Sequence, residues 1–338
     1  MASDPEYHSL AVAAVVDETA DARSFVLDVP SALEKTFAYA AGQFCTFRAR
    51  IGGESVARCY SMSSSPEAGE RLTVTVKRVS GGKMSNWMND ALAAGDTIEV
   101  MPPIGRFVLR ATEAPVVAFA GGSGITPILS IIKTALLTTP REIALVYANR
   151  DAASVIFAGE LERLCAAYGG RLSLHHHLDS ERGFLDAAAC AALVGDRTHA
   201  DVYVCGPGPY MEVVEAGLAR RGIARSQVFI EWFEIPDEGP ASAGTSETES
   251  MVIRLDRRKY TIAYQAGDTI LDTARRAGLA PPFACEAGSC GTCMAYLEAG
   301  KAAMRANNAL SADEVEAGWV LTCQAIPLSR EVVVDYDR

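Results

Sequence analysis

The chain has 338 residues, a formal net charge of -11, 49% hydrophobic residues and 22% charged residues. That length provides for two or three domains with cores of their own, and the composition excludes a disordered or fibrous protein. The acidic balance argues against a nucleic-acid surface and leaves an acidic face for a basic protein partner, although solubility alone accounts for the same number.

The N-terminal MASDPEYHSL lacks a basic segment followed by a long apolar run, so no signal peptide is expected. No run of about 18 uncharged apolar residues occurs, so no membrane span is expected either. Of nine cysteines, Cys45, Cys59, Cys165, Cys190 and Cys205 lie scattered in apolar contexts. They suit reduced thiols in a cytoplasmic chain better than a disulfide framework.

From about residue 9 to 110, short alternating runs (SLAVAAVVDET, SFVLDVP, GQFCTFRARI, RCYSMSSS, RLTVTVKRV, DTIEVMPP, GRFVLR) are bounded by Gly, Pro or Asp. They read as an antiparallel barrel or sandwich. Within them, Arg58-Cys59-Tyr60-Ser61 is either plain strand or a ligand grip. In the second reading Tyr60 offers an aromatic face to a planar ring, Ser61 a hydroxyl to a ring nitrogen and Arg58 a fork to phosphate. Gly81, Gly82 and Ser85, ahead of the helical NWMNDALAAG, suit a pyrophosphate at a helix N-terminus. Two phosphate sites about 20 residues apart fit a dinucleotide flavin.

From Pro115 to about Pro236 the period changes. VVAFA, EIALVYA, LSLHHHL, ADVYVCG and SQVFIEWF read as buried strands alternating with four helical stretches, the pattern of a parallel sheet covered on both faces. The first strand runs into Gly121-Gly122-Ser123-Gly124-Ile125-Thr126-Pro127, where glycines let the backbone approach phosphate and Pro127 can start a helix. A second glycine turn, Cys205-Gly206-Pro207-Gly208-Pro209, ends a later strand on the same ligand-binding edge. The triplet His175, His176, His177 sits in a strand, so only the outer two share a face, and packed or solvated histidines outweigh a metal site.

Residues 237–250, DEGPASAGTSETES, read as a flexible linker. Beyond it lie a hairpin turning at Asp256 to Arg258, a helix TILDTARRAG capped by Asp268 and ended by Gly278, a capped turn over residues 311–318, and a closing strand in REVVVDYD. Between them Cys285, Cys290, Cys293 and Cys323 give C-x4-C-x2-C-x29-C, the plant-type [2Fe-2S] spacing. Each of two irons needs two cysteine sulfurs; the small residues Ala287, Gly288, Ser289, Gly291 and Thr292 let the backbone wrap closely. Zinc or buried structural thiols are the rival readings, though zinc favours paired C-x2-C spacings.

These blocks in this order resemble the ferredoxin-NADP reductase superfamily, specifically reductases with a C-terminal plant-type ferredoxin domain, over essentially the whole chain. The resemblance implies an antiparallel β-barrel FAD domain over residues 1–112, an α/β parallel-sheet NAD(P) domain over 113–236, a linker at 237–250 and an α+β ferredoxin domain over 251–338. The family's R-x-Y-S flavin motif maps onto Arg58, Tyr60 and Ser61, and its G-x-x-S pyrophosphate motif, which favours FAD over FMN, onto Gly82 and Ser85. Its nicotinamide loop maps onto Gly122, Gly124, Thr126 and Pro127. Its C-G-P motif maps onto Cys205, Gly206 and Pro207, with the cysteine near the nicotinamide. The acid and aromatic beside the flavin correspond to Glu231 and Phe233, with Trp232 interrupting the match.

The implied activity is that of the reductase component of a multicomponent oxygenase, passing electrons from NADH through FAD and a [2Fe-2S] cluster. Within the superfamily the chain most resembles the reductases of Rieske-type 3-ketosteroid 9α-hydroxylases, with phenylacetyl-CoA epoxidase and acyl-CoA desaturase reductases as neighbours. The turn Asp179-Ser180-Glu181-Arg182 holds signals for both nicotinamide cofactors; Asp179 comes first and points to NADH over NADPH. A flavin reductase with a zinc-bound interaction module, and a redox-sensing scaffold, are the alternatives from other classes. A cytoplasmic monomer is expected.

Overall fold

A computed structural model describes residues 7–233, 248–286, 288, 290–307 and 309–338. The expected linker residues 237–247, and Ala287 and Ser289 of the cysteine loop, lie outside the described residues. Two compact units form, one within His8–Glu234 and one within Ile235–Arg338.

The first unit begins with six strands: β1 (His8–Thr19), β2 (Ala22–Asp28), β3 (Phe44–Ile51), β4 (Glu54–Ser61), β5 (Thr73–Lys77) and β6 (Thr97–Val100). They pair in the order β4-β3-β6-β1-β2-β5, and a bridge between Met62 and Val74 brings the two edges together as a barrel. Leu10, Phe25, Phe47 and Val74 fill it, each side chain contributing ~1.5–3 kcal/mol by leaving water. Helix α1 (Lys83–Ala91) adds Met84 and Met88 to this core. The stretch Gly105–Arg110, expected as a seventh strand, forms none. Its Phe107 packs instead into the neighbouring core and its Arg110 N–H donates to the Tyr203 hydroxyl at 2.8 Å, so tertiary contacts overrode the alternating pattern.

Five parallel strands follow: β7 (Val116–Gly121), β8 (Ile143–Asn149), β9 (Leu172–Leu178), β10 (Asp201–Cys205) and β11 (Val228–Glu231), in the order β11-β10-β7-β8-β9. Every residue of β7, β8 and β10 is buried, which is why these strands read as continuous apolar runs. Helices α2 (Ile125–Thr138), α3 (Ala158–Ala167), α4 (Asp179–Arg182), α5 (Ala187–Val194) and α6 (Gly208–Arg221) complete the layer pattern. Barrel and sheet meet at a polar seam. Ser130 Oγ donates to the Ser64 carbonyl at 2.6 Å, the Ser65 and Thr134 hydroxyls lie 2.7 Å apart, and Lys133 bridges Glu70 at 2.7 Å and Glu160 at 3.2 Å.

The second unit contains β12 (Ser250–Leu255), β13 (Arg258–Ala263), α7 (Ile270–Arg276), β14 (Met294–Ala299), β15 (Ala302–Met304), α8 (Ala312–Glu316), β16 (Trp319–Leu321), β17 (Ala325–Pro327) and β18 (Val333–Asp335). The mixed sheet runs β13-β12-β18-β14-β16, with β12 and β18 parallel, and β15 pairs with β17. The hairpin turns at Asp256 and Arg257, both at positive φ, where Asp337 accepts both backbone N–H groups at 2.8 and 2.7 Å. The cap of α7 is Thr269, in a reciprocal box with Asp272, rather than the expected Asp268. Asp268 pairs with Arg276 at 2.6 Å instead, because Thr269 stands at the register that reaches the third N–H of the helix.

Candidate functional site

Tyr60 and Ser61 end β4, opposite Cys45 and Phe44 of β3, and Arg58 stands opposite Phe47. The Tyr60 ring meets Phe47 edge-on at 5.7 Å, and burial pushes its phenol well above the usual range against the opposing pull of Arg58. Tyr60 is thus a neutral, half-buried plate. Ser61 is buried, whereas Arg58 is exposed and spends one N–H on the Ala57 carbonyl, leaving others for an anion.

Gly82 is the N-cap of α1. A Cβ there would lie 2.5 Å from Ser85 Oγ, so the serine requires the glycine beside it. Ser85 Oγ accepts the Val79 N–H at 3.2 Å, which shapes the turn and leaves its own proton to donate. The first-turn N–H groups of α1 have no carbonyl within the helix.

The strongest convergence lies at the carboxyl edge of the parallel sheet. Cys205 and Glu231 stand side by side at the ends of β10 and β11, both buried. Burial, reinforced by Glu231, drives the Cys205 thiol well up, so it is a neutral S–H. Gly124 has φ -61 and ψ -10, open to any residue, but a Cβ would fall 2.1 Å from the Cys205 carbonyl oxygen. Glycine is needed there for space. Thr126 Oγ1 donates to Ser123 O at 3.1 Å and Pro127 is buried in the first turn of α2. Gly206 presses on the Tyr210 ring, and Pro207 caps α6.

Gly122 is different, because at φ +52 its side opens to space that holds only Lys77 Nζ, 3.8 Å from where a Cβ would be. A turn of backbone amides facing an ammonium fits a phosphate. Lys77 went unnoticed in the sequence, since 45 positions separate it from Gly122. Asp179 opens α4 at the end of β9, held where Ser180 N–H donates to Arg150 O at 2.9 Å and His177 Nε2 lies 2.8 Å from Gly183 O. Phe184, on the same turn, is 89% exposed. Phe233 is 41% exposed just beyond β11.

In the second unit, Cys290, Cys293 and Cys323 are buried and Cys285 half-buried, and none of the four is in a disulfide. They fall into two pairs. Cys285 hydrogen-bonds to Cys290 and holds its thiol below the usual range, and Cys323 does the same for Cys293. Among the described residues no three His, Cys or carboxylate side chains converge on a point for one ion. The four thiols perturb one another, and four cysteine sulfurs in one neighbourhood are the donor set a [2Fe-2S] group needs. Gln324 Nε2 donates to Glu286 O at 2.8 Å, tying the two ligand segments together. Gly288 has φ +73 and a Cβ there would meet Ala306 O at 2.8 Å.

Three family patterns match in chain order: an oxidoreductase FAD-binding domain over residues 9–109, an oxidoreductase NAD-binding domain over 119–216 and a 2Fe-2S iron-sulfur cluster binding domain over 253–328. The ferredoxin reductase component of 3-ketosteroid-9-alpha-monooxygenase from Rhodococcus rhodochrous is 40% identical, over 97% of this chain and 96% of that one. This chain belongs to the FAD- and NAD-binding reductases with a C-terminal 2Fe-2S domain. A component of 1,2-phenylacetyl-CoA epoxidase from Escherichia coli (strain K12) is 36% identical over 98% of each chain. Among solved structures, phthalate dioxygenase reductase covers 97% of this chain and 98% of its own at 26% identity and a TM-score of 0.62. The reductase is therefore an oxidoreductase with sites for FAD, NAD and a [2Fe-2S] cluster, as expected from its motifs.

Proposed function

We propose that this reductase supplies electrons from NADH to a terminal oxygenase, of the Rieske-type 3-ketosteroid 9α-hydroxylase kind. The observation that carries this is the end-to-end similarity, at 40% identity, to a 3-ketosteroid monooxygenase reductase, with all three modules in one chain. Bound FAD would supply the conversion between a two-electron hydride donor and a one-electron iron-sulfur acceptor. Tyr60 presents its ring face to the flavin, Ser61 donates to the ring edge, and Arg58 with the Gly82–Ser85 turn holds phosphate. Gly122, Gly124, Thr126 and Pro127 shape the nucleotide loop, whose phosphates Lys77 neutralises. Cys205, Gly206 and Pro207 would bound the nicotinamide pocket, with Glu231 beside Cys205 and Phe233 just beyond it. Asp179 accepts from the free ribose hydroxyl and Phe184 offers a ring face to adenine. Cys285, Cys290, Cys293 and Cys323 hold the cluster.

Plant-type clusters lie near roughly -400 mV and Rieske centres from about -150 mV upward, so transfer to such an acceptor is downhill. Donation to a phenylacetyl-CoA epoxidase is the second reading, supported by 36% identity over 98% of the chain. The zinc-module alternative is disfavoured by the C-x4-C-x2-C spacing, since zinc sites favour paired C-x2-C ligands. We take the chain to act as a cytoplasmic monomer with modules at 1–112, 113–236 and 251–338; sizing chromatography showing a dimer removes the first part.

The test is an anaerobic titration with NADH, following flavin and iron-sulfur absorption separately, then addition of each candidate oxygenase with its substrate. Sequential bleaching of flavin and cluster, with turnover for the 3-ketosteroid system alone, supports the reading. A cluster that stays oxidised defeats the relay, and turnover with the epoxidase alone reassigns the partner.

A further inference from the structure

Beside the cysteine loop stands a polar group that no described residue satisfies. Tyr336 follows β18, whose Asp335 faces Tyr296 of the antiparallel β14, so Tyr336 stands level with Ala295. Ala295 pairs in turn with Val320 of β16, and the ladder continues one step past Met294 and Leu321, where Thr322 N–H donates to the Cys293 carbonyl at 3.1 Å. Side chains alternate along strands, which puts Tyr336, Ala295 and Cys293 on one face, with Thr322 beside them. Ala295, fully buried and small, lets the tyrosine ring lie across its strand toward the loop.

The ring packs against the unit's core, and its hydroxyl is buried without a hydrogen-bond partner among the described residues. Thr322, Cys293 and Cys323 are its polar surroundings. The Thr322 hydroxyl gives its proton to the Cys293 carbonyl at 2.9 Å, so toward the phenol it can act only as an acceptor, near enough to ease its ionisation but outside hydrogen-bond geometry. A buried hydroxyl left without a hydrogen bond is destabilising. A tyrosine kept there, where phenylalanine would fill the same space, has an acceptor in view.

We propose that the Tyr336 hydroxyl donates a hydrogen bond to a ligand sulfur, that of Cys293 or Cys323, once the [2Fe-2S] cluster is in place. Tyr336 is a positioning and tuning residue. Its O–H dipole stabilises the sulfur more when the cluster carries the extra electron, so it holds the reduction potential up. The inference rests on the four cysteines binding a [2Fe-2S] cluster, so iron and acid-labile sulfide are assayed first; their absence defeats that reading and leaves this one without an object.

The experiment is a spectroscopic redox titration of the full-length holoprotein and of Tyr336→Phe. The variant should keep its cluster but reduce at a more negative potential, by a three- to tenfold loss in the reduction equilibrium constant (59 mV per tenfold for one electron). The iron-sulfur stretching bands should move in D2O for the wild type, and that isotope shift should shrink in the variant. Thr273→Val removes another buried, unpartnered hydroxyl of the same unit and should leave the potential where it was. An unmoved potential in Tyr336→Phe means the phenol is satisfied by Thr322 alone and overturns the proposal, as does an equal shift in Thr273→Val. If Tyr336→Phe fails to assemble a cluster, ring-fluorinated tyrosine at 336 keeps the shape and strengthens the donor. Its potential must rise, and an unchanged value refutes the assignment.

Discussion

Gly124 shows how little freedom a single position has at the nucleotide edge. Its dihedrals suit any amino acid, yet the Cys205 carbonyl oxygen occupies the place of a side chain. Gly124→Ala must part the first turn of α2 from the end of β10, which overpacking precedents place at about 1–3 kcal/mol. Denaturant midpoints should fall accordingly, and the rate of NADH-dependent flavin bleaching should drop with them; an unchanged rate separates Gly124 from the nicotinamide pocket. Asp179 acts through charge instead. A carboxylate beside a 2'-phosphate is repelled by about 1 kcal/mol per unit charge even at water's dielectric constant. Asp179→Ser should therefore improve NADPH use relative to NADH roughly tenfold in kcat/KM, and an unaltered ratio removes Asp179 from cofactor choice.

At the scale of elements, the seam between barrel and parallel sheet is built from hydroxyls and charges. A buried chain runs from Ser63 to Thr75 at 2.8 Å, on to Ser24 at 2.7 Å, and from Ser24 Oγ to Glu18 Oε1 at 2.6 Å. Burial raises the Glu18 carboxyl above its ordinary value and Glu160 adds to this, while the Ser24 hydrogen bond, Lys133 and a Phe157 backbone contact oppose. A raised carboxyl favours its protonated form in the fold. Its contribution to stability is present below the unfolded value and is lost as pH rises through the folded one. Glu18→Gln, which carries no charge, should gain stability relative to the wild type between about pH 5 and pH 8. Urea unfolding at both pH values measures this, and a difference that stays level removes the burial penalty. Part of this scale is legible in the chain: α2, β7, β8 and β10 follow their apolar runs and TILDTARRAG is a helix, whereas LSLHHHL, expected as a buried strand, is β9 at the sheet edge with only Leu172 and His177 buried. The non-strand at Gly105–Arg110 is not legible, because it depends on Tyr203 and a neighbouring core that local pattern does not contain, whereas the cap at Thr269 is written locally in its box with Asp272 and is open to reading from the T-x-x-D spacing.

At the scale of the molecule, two compact units share one chain, and the four cysteines proposed to hold the cluster all lie in one of them. Cluster binding is folding free energy for the unit that supplies the ligands. Stripping iron and sulfide should lower the melting transition of the C-terminal unit by several degrees and leave that of the FAD- and NAD-binding unit in place. Calorimetry of holo and stripped protein distinguishes this from a single cooperative transition that falls as a whole.

The amino-acid sequence by itself determined the chemistry. RCYS, GGKMS, GGSGITP and the first three cysteines set their donors within a few residues of one another, so local sequence suffices to announce a ligand, while Cys323 follows 30 positions after Cys293 at a spacing that is itself diagnostic. Tertiary structure decided what those donors face. Lys77 lies beside Gly122, Gly124 lies against Cys205, and the buried Tyr336 hydroxyl lies near Thr322, Cys293 and Cys323. Lys77 and Gly122 are 45 positions apart, Gly124 and Cys205 81, and Cys293 and Tyr336 43. Such contacts depend on strand register and barrel closure, which are set by packing across the whole unit and leave no periodic trace in the local sequence.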